Sequence, residues 1–127
     1  SSHALDVQKL RNPTVTFWSV WEGEQLAGIG ALKLLDDKHG ELKSMRTAPN
    51  YLRRGVASLI LRHILQVAHD RCLHRLSLET GTQAGFTACH QLYLKHGFVD
   101  CEPFADYQLD PHSRFLSLTL CENNELP

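Results

Sequence analysis

Several features that identify particular protein classes are missing from this sequence. No apolar run reaches the roughly 18 residues of a membrane span, and the start shows no charged-then-apolar signal pattern. The net charge of −1 gives no basic excess for binding nucleic acid or an acidic membrane surface. The eight histidines form no HxxxH spacing, so no metal site is expected. These absences predict a cytoplasmic protein that binds no nucleic acid, no membrane and no metal.

The cysteines are also few and scattered. Cys72, Cys89, Cys101 and Cys121 never form a CxxC pair, which disfavours both a zinc site and a disulfide scaffold. We therefore expect reduced thiols. The GxxxxGK[ST] pattern of a nucleotide phosphate loop is absent as well.

The pattern of apolar residues predicts one mixed α/β domain over residues 1–127. A chain of 127 residues is long enough for a single core but not for two. The crossover between the third and fourth strands is long enough to make them parallel, so a mixed α+β sheet with helices on its faces is expected. The predicted strands are Thr14–Trp21, Gln25–Leu35, Glu41–Ala48, Arg75–Thr80, Phe98–Phe104 and Arg114–Cys121, and the predicted helices are Val56–Asp70, Phe86–His96 and a short helical segment at Ala4–Leu10.

The start of the long predicted helix has an unusual composition. Arg53-Arg54-Gly55 stands where a capping Ser, Thr, Asp or Asn is usual. The free N–H groups of the first turn, the helix dipole and a glycine without a Cβ together favour a bound phosphate that serves as the cap. Two solvated arginines before a simple glycine turn would give the same sequence, so this pattern alone leaves both interpretations open.

Two motifs in the right order resemble the GNAT N-acetyltransferase superfamily. The segment Leu52–Ala57 resembles that family's pyrophosphate loop, which reads Gln or Arg, two variable residues, Gly, one variable residue, then Gly or Ala. Gly55 and Ala57 match this pattern, and Leu52 departs from it. The segment Gln91–Phe98 resembles the family's Leu-Tyr-x-x-x-Gly-Phe helix ending.

The resemblance extends to a subgroup of small bacterial-type single-domain members through the runs Gly40–Thr47 and Leu76–Gly81. It implies the GNAT acyl-CoA N-acyltransferase fold without the family's usual first strand and helix. Such a chain would leave Thr14–Trp21 at an exposed sheet edge.

The resemblance also implies acetyl-CoA as cosubstrate, no metal, and direct attack of an amine on the thioester. It assigns Tyr93 as the acid that protonates the departing thiolate. Glu41 and Glu79 are the candidate bases, and ordered water is the alternative to both. The residues implied in cofactor binding are Met45, Arg46, Thr47, Leu52, Arg53, Arg54, Gly55, Val56, Ala57 and Ser58.

The predicted function is transfer of the acetyl group to a primary amine of a small molecule. Acetylation of a protein lysine or N-terminus is the alternative within enzymes. A non-catalytic acyl-CoA-binding sensor is the alternative outside them, although such a binder would not need Tyr93 and the carboxylates. The strands of the tail are compatible with a homodimer.

Overall fold

The computed structural model describes residues 14–120, which form one six-stranded sheet with two α-helices. The strand order is β1-β2-β3-β4-β6-β5, and every neighbouring pair is antiparallel except β3 and β4. The predicted mixed α/β architecture is therefore confirmed. The strands are β1 (Val15–Glu22), β2 (Gln25–Leu34), β3 (His39–Thr47), β4 (Arg75–Gly81), β5 (Val99–Asp100) and β6 (Ser113–Thr119), and the helices are α1 (Val56–Asp70) and α2 (Thr87–Lys95).

Helix α1 packs closely on β2 because β2 has glycines where the helix crosses it. A Cβ at Gly28 would stand 2.7 Å from Val56 Cγ1, and one at Gly30 would stand 2.6 Å from Ile60 Cγ2. The two glycines are two residues apart and so face the same side of the strand. The buried residues of α1 that pack on this side are Val56, Ile60, Leu61, Ile64 and Ala68.

Replacing Gly30 with alanine is expected to lower the free energy of unfolding by about 1–3 kcal/mol, the usual cost of overpacking a core. The added methyl would also approach Met45 Sδ at 2.9 Å and Ile64 Cδ1 at 3.1 Å, so these side chains must shift. Gly85→Ala is the matched control, since no atom lies within 4 Å of its Cβ position. Urea denaturation of both variants measures the difference, and equal stability would contradict this account of the packing.

The predicted strand Phe98–Phe104 is wrong in its extent, because the observed strand β5 covers only Val99 and Asp100. Only Val99 and Asp100 pair with β6, followed by one further bond from the Cys101 N–H to the Phe115 carbonyl. Pro103 has no N–H to continue the ladder, and Ala105 has φ +52°, which turns the chain. Residues 101–112 are consequently an irregular segment between β5 and β6.

Strand β3 begins at His39, two residues earlier than predicted. The Asp36 carboxylate accepts the N–H groups of Lys38 and His39, both at 2.8 Å, so the turn closes before Gly40. Strand β1 pairs with β2 and lies at an edge of the sheet formed by residues 14–120. The predicted helical segment Ala4–Leu10 and Cys121 both lie outside the described residues.

Within residues 14–120, neither helix combines the length and the apolar content that a membrane crossing requires. The three cysteines in this range, Cys72, Cys89 and Cys101, are free thiols.

Candidate active site

The two parallel strands part after a short paired stretch. Strands β3 and β4 are in register from His39 opposite Arg75 to Glu41 opposite Ser77, and beyond that point β3 pairs with β2 alone. A bulge in β3 at Ser44, which has φ +58°, increases the divergence. The result is a cleft of about 390 Å³ between the strands, here called the β3–β4 cleft. It is lined by Glu41, Leu42, Lys43, Ser44, Met45, Arg46, Leu78, Glu79, Thr80, Gly81, Gln83, Phe86, Cys89, Tyr93, Tyr107 and His112.

Glu41 lies at the last paired position, where the cleft begins. The residue is only 3% exposed, and its Oε2 accepts the Tyr107 hydroxyl at 2.6 Å and the Lys43 ammonium at 3.4 Å. Within the described residues no fully buried side-chain oxygen lacks a partner. Glu41 Oε1 makes no hydrogen bond to any residue from 14 to 120, so it must reach the accessible surface of the cleft.

Glu79 lies further along β4 and is exposed. Its Oε2 accepts the Ser113 hydroxyl at 2.6 Å. The two carboxylates therefore share the cleft but differ in solvation, Glu41 being buried and Glu79 open to water.

Tyr93 is held in place by the way α2 ends. Gly97 has φ +96°, its N–H bonds to the Leu94 carbonyl at 3.0 Å, and the Phe98 N–H bonds to the Tyr93 carbonyl at 3.1 Å. This pair of bonds is a Schellman motif, in which the residue after the glycine packs against the last turn. Here Phe98 is that residue, and its ring centroid lies 5.7 Å from that of Tyr93. The helix ending predicted from Gly97 and Phe98 is confirmed, and it positions Tyr93.

The hydroxyl of Tyr93 is directed at the cleft. The residue is 5% exposed and lines the cleft, and its hydroxyl has no hydrogen-bond partner among residues 14–120. Burial, with a smaller contribution from Cys89, raises the pKa of Tyr93 well above its ordinary value of 10.0. The hydroxyl therefore stays protonated at every physiological pH and remains available as a donor.

Helix α1 begins without a capping side chain. Gly55 is the N-cap residue, with φ +82° and ψ 8°, and no side chain bonds to the first turn. Apart from Gly55 itself and its two chain neighbours, no described residue has an atom within 4 Å of the place where a Cβ of Gly55 would stand. The N–H groups of the first turn have no acceptor within the helix, so this end can accept an anion directly.

The two arginines before this helix have different surroundings. Arg54 lies over the Tyr51 ring, 4.8 Å from its centroid, and pairs with Glu22 at 3.7 Å. Arg53 is exposed, has φ +62°, and makes no ion pair within the described residues. Arg53 is thus the more available cation beside the helix end.

The predicted site residues fall into two groups. Glu41, Glu79, Tyr93, Met45 and Arg46 line the same cleft. Thr47 pairs with Gly28 at the end of β3 and does not line the cleft. The residues of the helix start also lie outside the cleft lining; they are Leu52, Arg53, Arg54, Gly55, Val56, Ala57 and Ser58. Of these, the side chain of Val56 is buried in the core, which leaves only its backbone for a ligand.

Tyr107 and Lys43 were missed as partners of Glu41. Lys43 is two residues from Glu41 and therefore lies on the same face of β3. This contact could have been predicted from the sequence of the strand. Tyr107 lies in the irregular segment 101–112, and no local pattern connects it to β3. Within the described part of the chain, no three His, Cys, Asp or Glu side chains converge as the ligands of a metal ion would.

Comparison with solved structures identifies the class of protein. The chain is 29% identical to a Klebsiella pneumoniae protein described as an acyl-CoA N-acyltransferase, with a TM-score of 0.80 over 94% of this chain and 82% of that one. A GNAT family acetyltransferase of Elizabethkingia anophelis, solved with acetyl-CoA bound, shares the fold at 20% identity and a TM-score of 0.72, over 94% of this chain and 84% of that one. The fold is that of the acyl-CoA N-acyltransferases.

Sequence comparison gives the family. The family model described as Acetyltransferase (GNAT) family matches residues 2–98. An Escherichia coli protein described as uncharacterized N-acetyltransferase YedL is 98% identical over all 127 residues, which cover 80% of its length. A Bacillus subtilis protein described as uncharacterized N-acetyltransferase YsnE is 56% identical over 94% of this chain and 80% of its own. The chain belongs to the GNAT acetyltransferase family and is an acyltransferase.

Proposed function

We propose that the protein transfers the acetyl group of acetyl-CoA to a primary amine of a small molecule. The observation that supports this most directly is the uncapped start of α1 at Gly55, next to a strand whose edge is unpaired. From Leu42 onward, the side of β3 that faces β4 has no strand partner, so its backbone groups can bond an extended ligand arm. An anionic diphosphate at the helix start and an acyl arm along β3 would bring a thioester into the β3–β4 cleft.

The residues of the cleft supply the proton chemistry. Acetyl-CoA supplies a thioester whose carbonyl carbon accepts the amine. Glu41 Oε1 accepts the proton that the amine loses as the C–N bond forms. Tyr93 donates a hydrogen bond to the sulfur as the C–S bond breaks, which stabilises the negative charge that develops there.

A thiol-release assay tests the proposal. Acetyl-CoA is incubated with the protein and one of spermidine, tyramine, glucosamine, L-phenylalanine or a lysine-containing peptide, and free thiol is followed by absorbance. Release that depends on a small amine supports the proposal, and release with the peptide alone favours a protein acetyltransferase. Binding of acetyl-CoA with no release for any amine of a broad collection would favour a sensor.

Gly55→Ala is expected to raise the KM for acetyl-CoA about tenfold and to leave kcat within about twofold. A Cβ at this position would stand in the open space before the free N–H groups, so at least one charge-assisted hydrogen bond to the diphosphate would weaken. Steady-state kinetics with acetyl-CoA as the varied substrate measure the change.

Gly23→Ala is the matched control for the Gly55 variant. Gly23 also has a positive φ, +58°, and no atom within 4 Å of its Cβ position, but it lies in the turn between β1 and β2. Both variants store similar backbone strain, of about 1 kcal/mol. A similar rise in KM for the two would show that strain, and not the phosphate site, is responsible.

A further inference from the structure

Three polar side chains meet at the narrow end of the β3–β4 cleft. The Tyr107 hydroxyl lies 2.6 Å from Glu41 Oε2, and Lys43 Nζ lies 3.4 Å from both of these oxygens. All three residues line the cleft. Here we call them the Tyr107–Glu41–Lys43 cluster.

The direction of each hydrogen bond in the cluster follows from the chemistry of the groups. An ammonium only donates, an ionised carboxylate only accepts, and the tyrosine hydroxyl has one proton to give. Lys43 therefore donates to Tyr107 and to Glu41, and Tyr107 donates its proton to Glu41. Both donors use Oε2, which leaves Oε1 as the oxygen that faces the cleft without a partner.

Tyr107 is itself held firmly. Its ring centroid lies 5.1 Å from that of Phe104 and 5.6 Å from that of Phe115, both of which are buried. Its N–H also bonds to the Phe104 carbonyl at 3.0 Å. A hydroxyl on so constrained a ring fixes the rotamer of the carboxylate that accepts its bond.

Tyr107 also lies outside the part of the chain that the family model matches, which ends at residue 98. Glu41 and Tyr93 lie inside that part. The hydrogen bond from Tyr107 thus joins a side chain of the irregular segment 101–112 to a candidate base within the family match.

We infer that Tyr107 is a positioning residue, which fixes Glu41 so that Oε1 faces the acceptor amine. This inference rests on the proposed function, because it takes Glu41 as the proton acceptor. The segment 101–112 then forms one wall of the acceptor site and orients the base within it. No bond is made or broken at Tyr107, whose proton stays on its own oxygen throughout the reaction.

Lys43 and Tyr107 contact the Glu41 carboxylate directly. Two titratable groups outside the cluster interact with it electrostatically: His39 with Glu41, and Glu79 with Tyr107. Burial, followed by the hydrogen bond to Glu41, raises the pKa of Tyr107 well above its ordinary range. The hydroxyl therefore remains a donor across the working pH range.

The first test does not depend on activity. The Glu41 side chain is observed by carbon NMR of glutamate-labelled protein, its signal being identified by its loss in Glu41→Gln. In Tyr107→Phe the chemical shift of this signal is expected to change, because the carboxylate has lost a hydrogen-bond donor. Phenylalanine keeps the ring contacts, so a purely structural role would leave the chemical shift where it was. An unchanged chemical shift would overturn the inference.

The second test uses the small amine that the thiol-release assay shows to be acetylated fastest. Tyr107→Phe is expected to lower kcat about tenfold, to move the acid limb of the pH–rate profile upward, and to leave the KM for acetyl-CoA within about twofold. Tyr51→Phe is the control, since its hydroxyl bonds to Glu22 and Gln25 and it does not line the cleft. A kcat equal to that of the wild type would overturn the inference even if the NMR signal moves.

Different results would contradict the proposed function and the inference about Tyr107. If the wild type acetylates no amine, the proposed function fails, while the NMR measurement still decides whether Tyr107 positions Glu41. If the wild type turns over and Tyr107→Phe matches it in kcat and in pH profile, only the inference about Tyr107 fails.

Discussion

Replacing Tyr93 with phenylalanine is expected to lower kcat about a hundredfold while the KM for acetyl-CoA changes by less than about twofold. The hydroxyl has no partner among the described residues and faces the cleft, so its removal takes away a donor without disturbing a structural bond. A donor aimed at charge that develops only in the transition state contributes about 2.7–4 kcal/mol, which corresponds to a hundredfold or more in rate.

The stability of the Tyr93 variant provides an internal check. The ring contact with Phe98 is kept in Tyr93→Phe, so the unfolding free energy should stay within about 0.5 kcal/mol of the wild type. Tyr51→Phe again serves as the control for loss of a tyrosine hydroxyl away from the cleft. An unchanged kcat in Tyr93→Phe would remove this residue from the mechanism.

Glu41→Gln is expected to lower kcat by at least a hundredfold, the lower end of the usual contribution of a general base. The amide has nearly the same shape and its oxygen can still accept the Tyr107 hydroxyl, so the cluster should persist. Rates measured across pH separate the loss of a base from a loss of packing, because only the former also removes the acid limb of the profile.

Glu79→Gln is the matched control, because it changes a second carboxylate in the same cleft. Glu79 is exposed and bonds to Ser113, so the variant should keep kcat within about threefold of the wild type. The sequence left these two residues as equal candidates. A larger loss in Glu79→Gln than in Glu41→Gln would reverse the assignment of the base, and small losses in both would favour ordered water.

The parts of the fold that were predictable depend on short-range patterns. The period of apolar residues located α1 at Val56–Asp70, as observed. Gly97 followed by Phe98 indicated the end of α2, since a left-handed residue and its apolar partner belong to one local motif. The absence of a capping residue before Val56 was likewise visible, because capping involves only the adjacent residues.

The parts that were not predictable depend on contacts between distant residues. Tyr107 and Glu41 are separated by 66 positions, and nothing near Tyr107 in the sequence indicates which strand it meets. The segment Phe98–Phe104 was predicted as a strand, but the chain is irregular after Asp100 and the Phe104 ring packs in the core against Phe115. Burial of an irregular segment follows from the tertiary structure and leaves no periodic signal.

The position of Glu41 was also predictable only in part. The sequence placed Glu41 on the strand before the helix, and the parallel pairing of β3 with β4 was expected from the long crossover. The place where that pairing stops depends on the bulge at Ser44, whose positive φ no residue-level preference predicted. The depth at which Glu41 lies in the cleft was therefore known only from the structure.

The proposed function requires that the open start of α1 binds the diphosphate of acetyl-CoA, and thermal unfolding tests this binding. The melting temperature is measured without ligand and with acetyl-CoA or S-acetylpantetheine at the same concentration, the latter having the same thioester arm but no diphosphate. A rise of several degrees is expected with acetyl-CoA, little or none with S-acetylpantetheine, and a smaller rise with acetyl-CoA in Gly55→Ala, which binds it about tenfold more weakly. Equal melting temperatures with the two ligands, or no rise with acetyl-CoA, would contradict it.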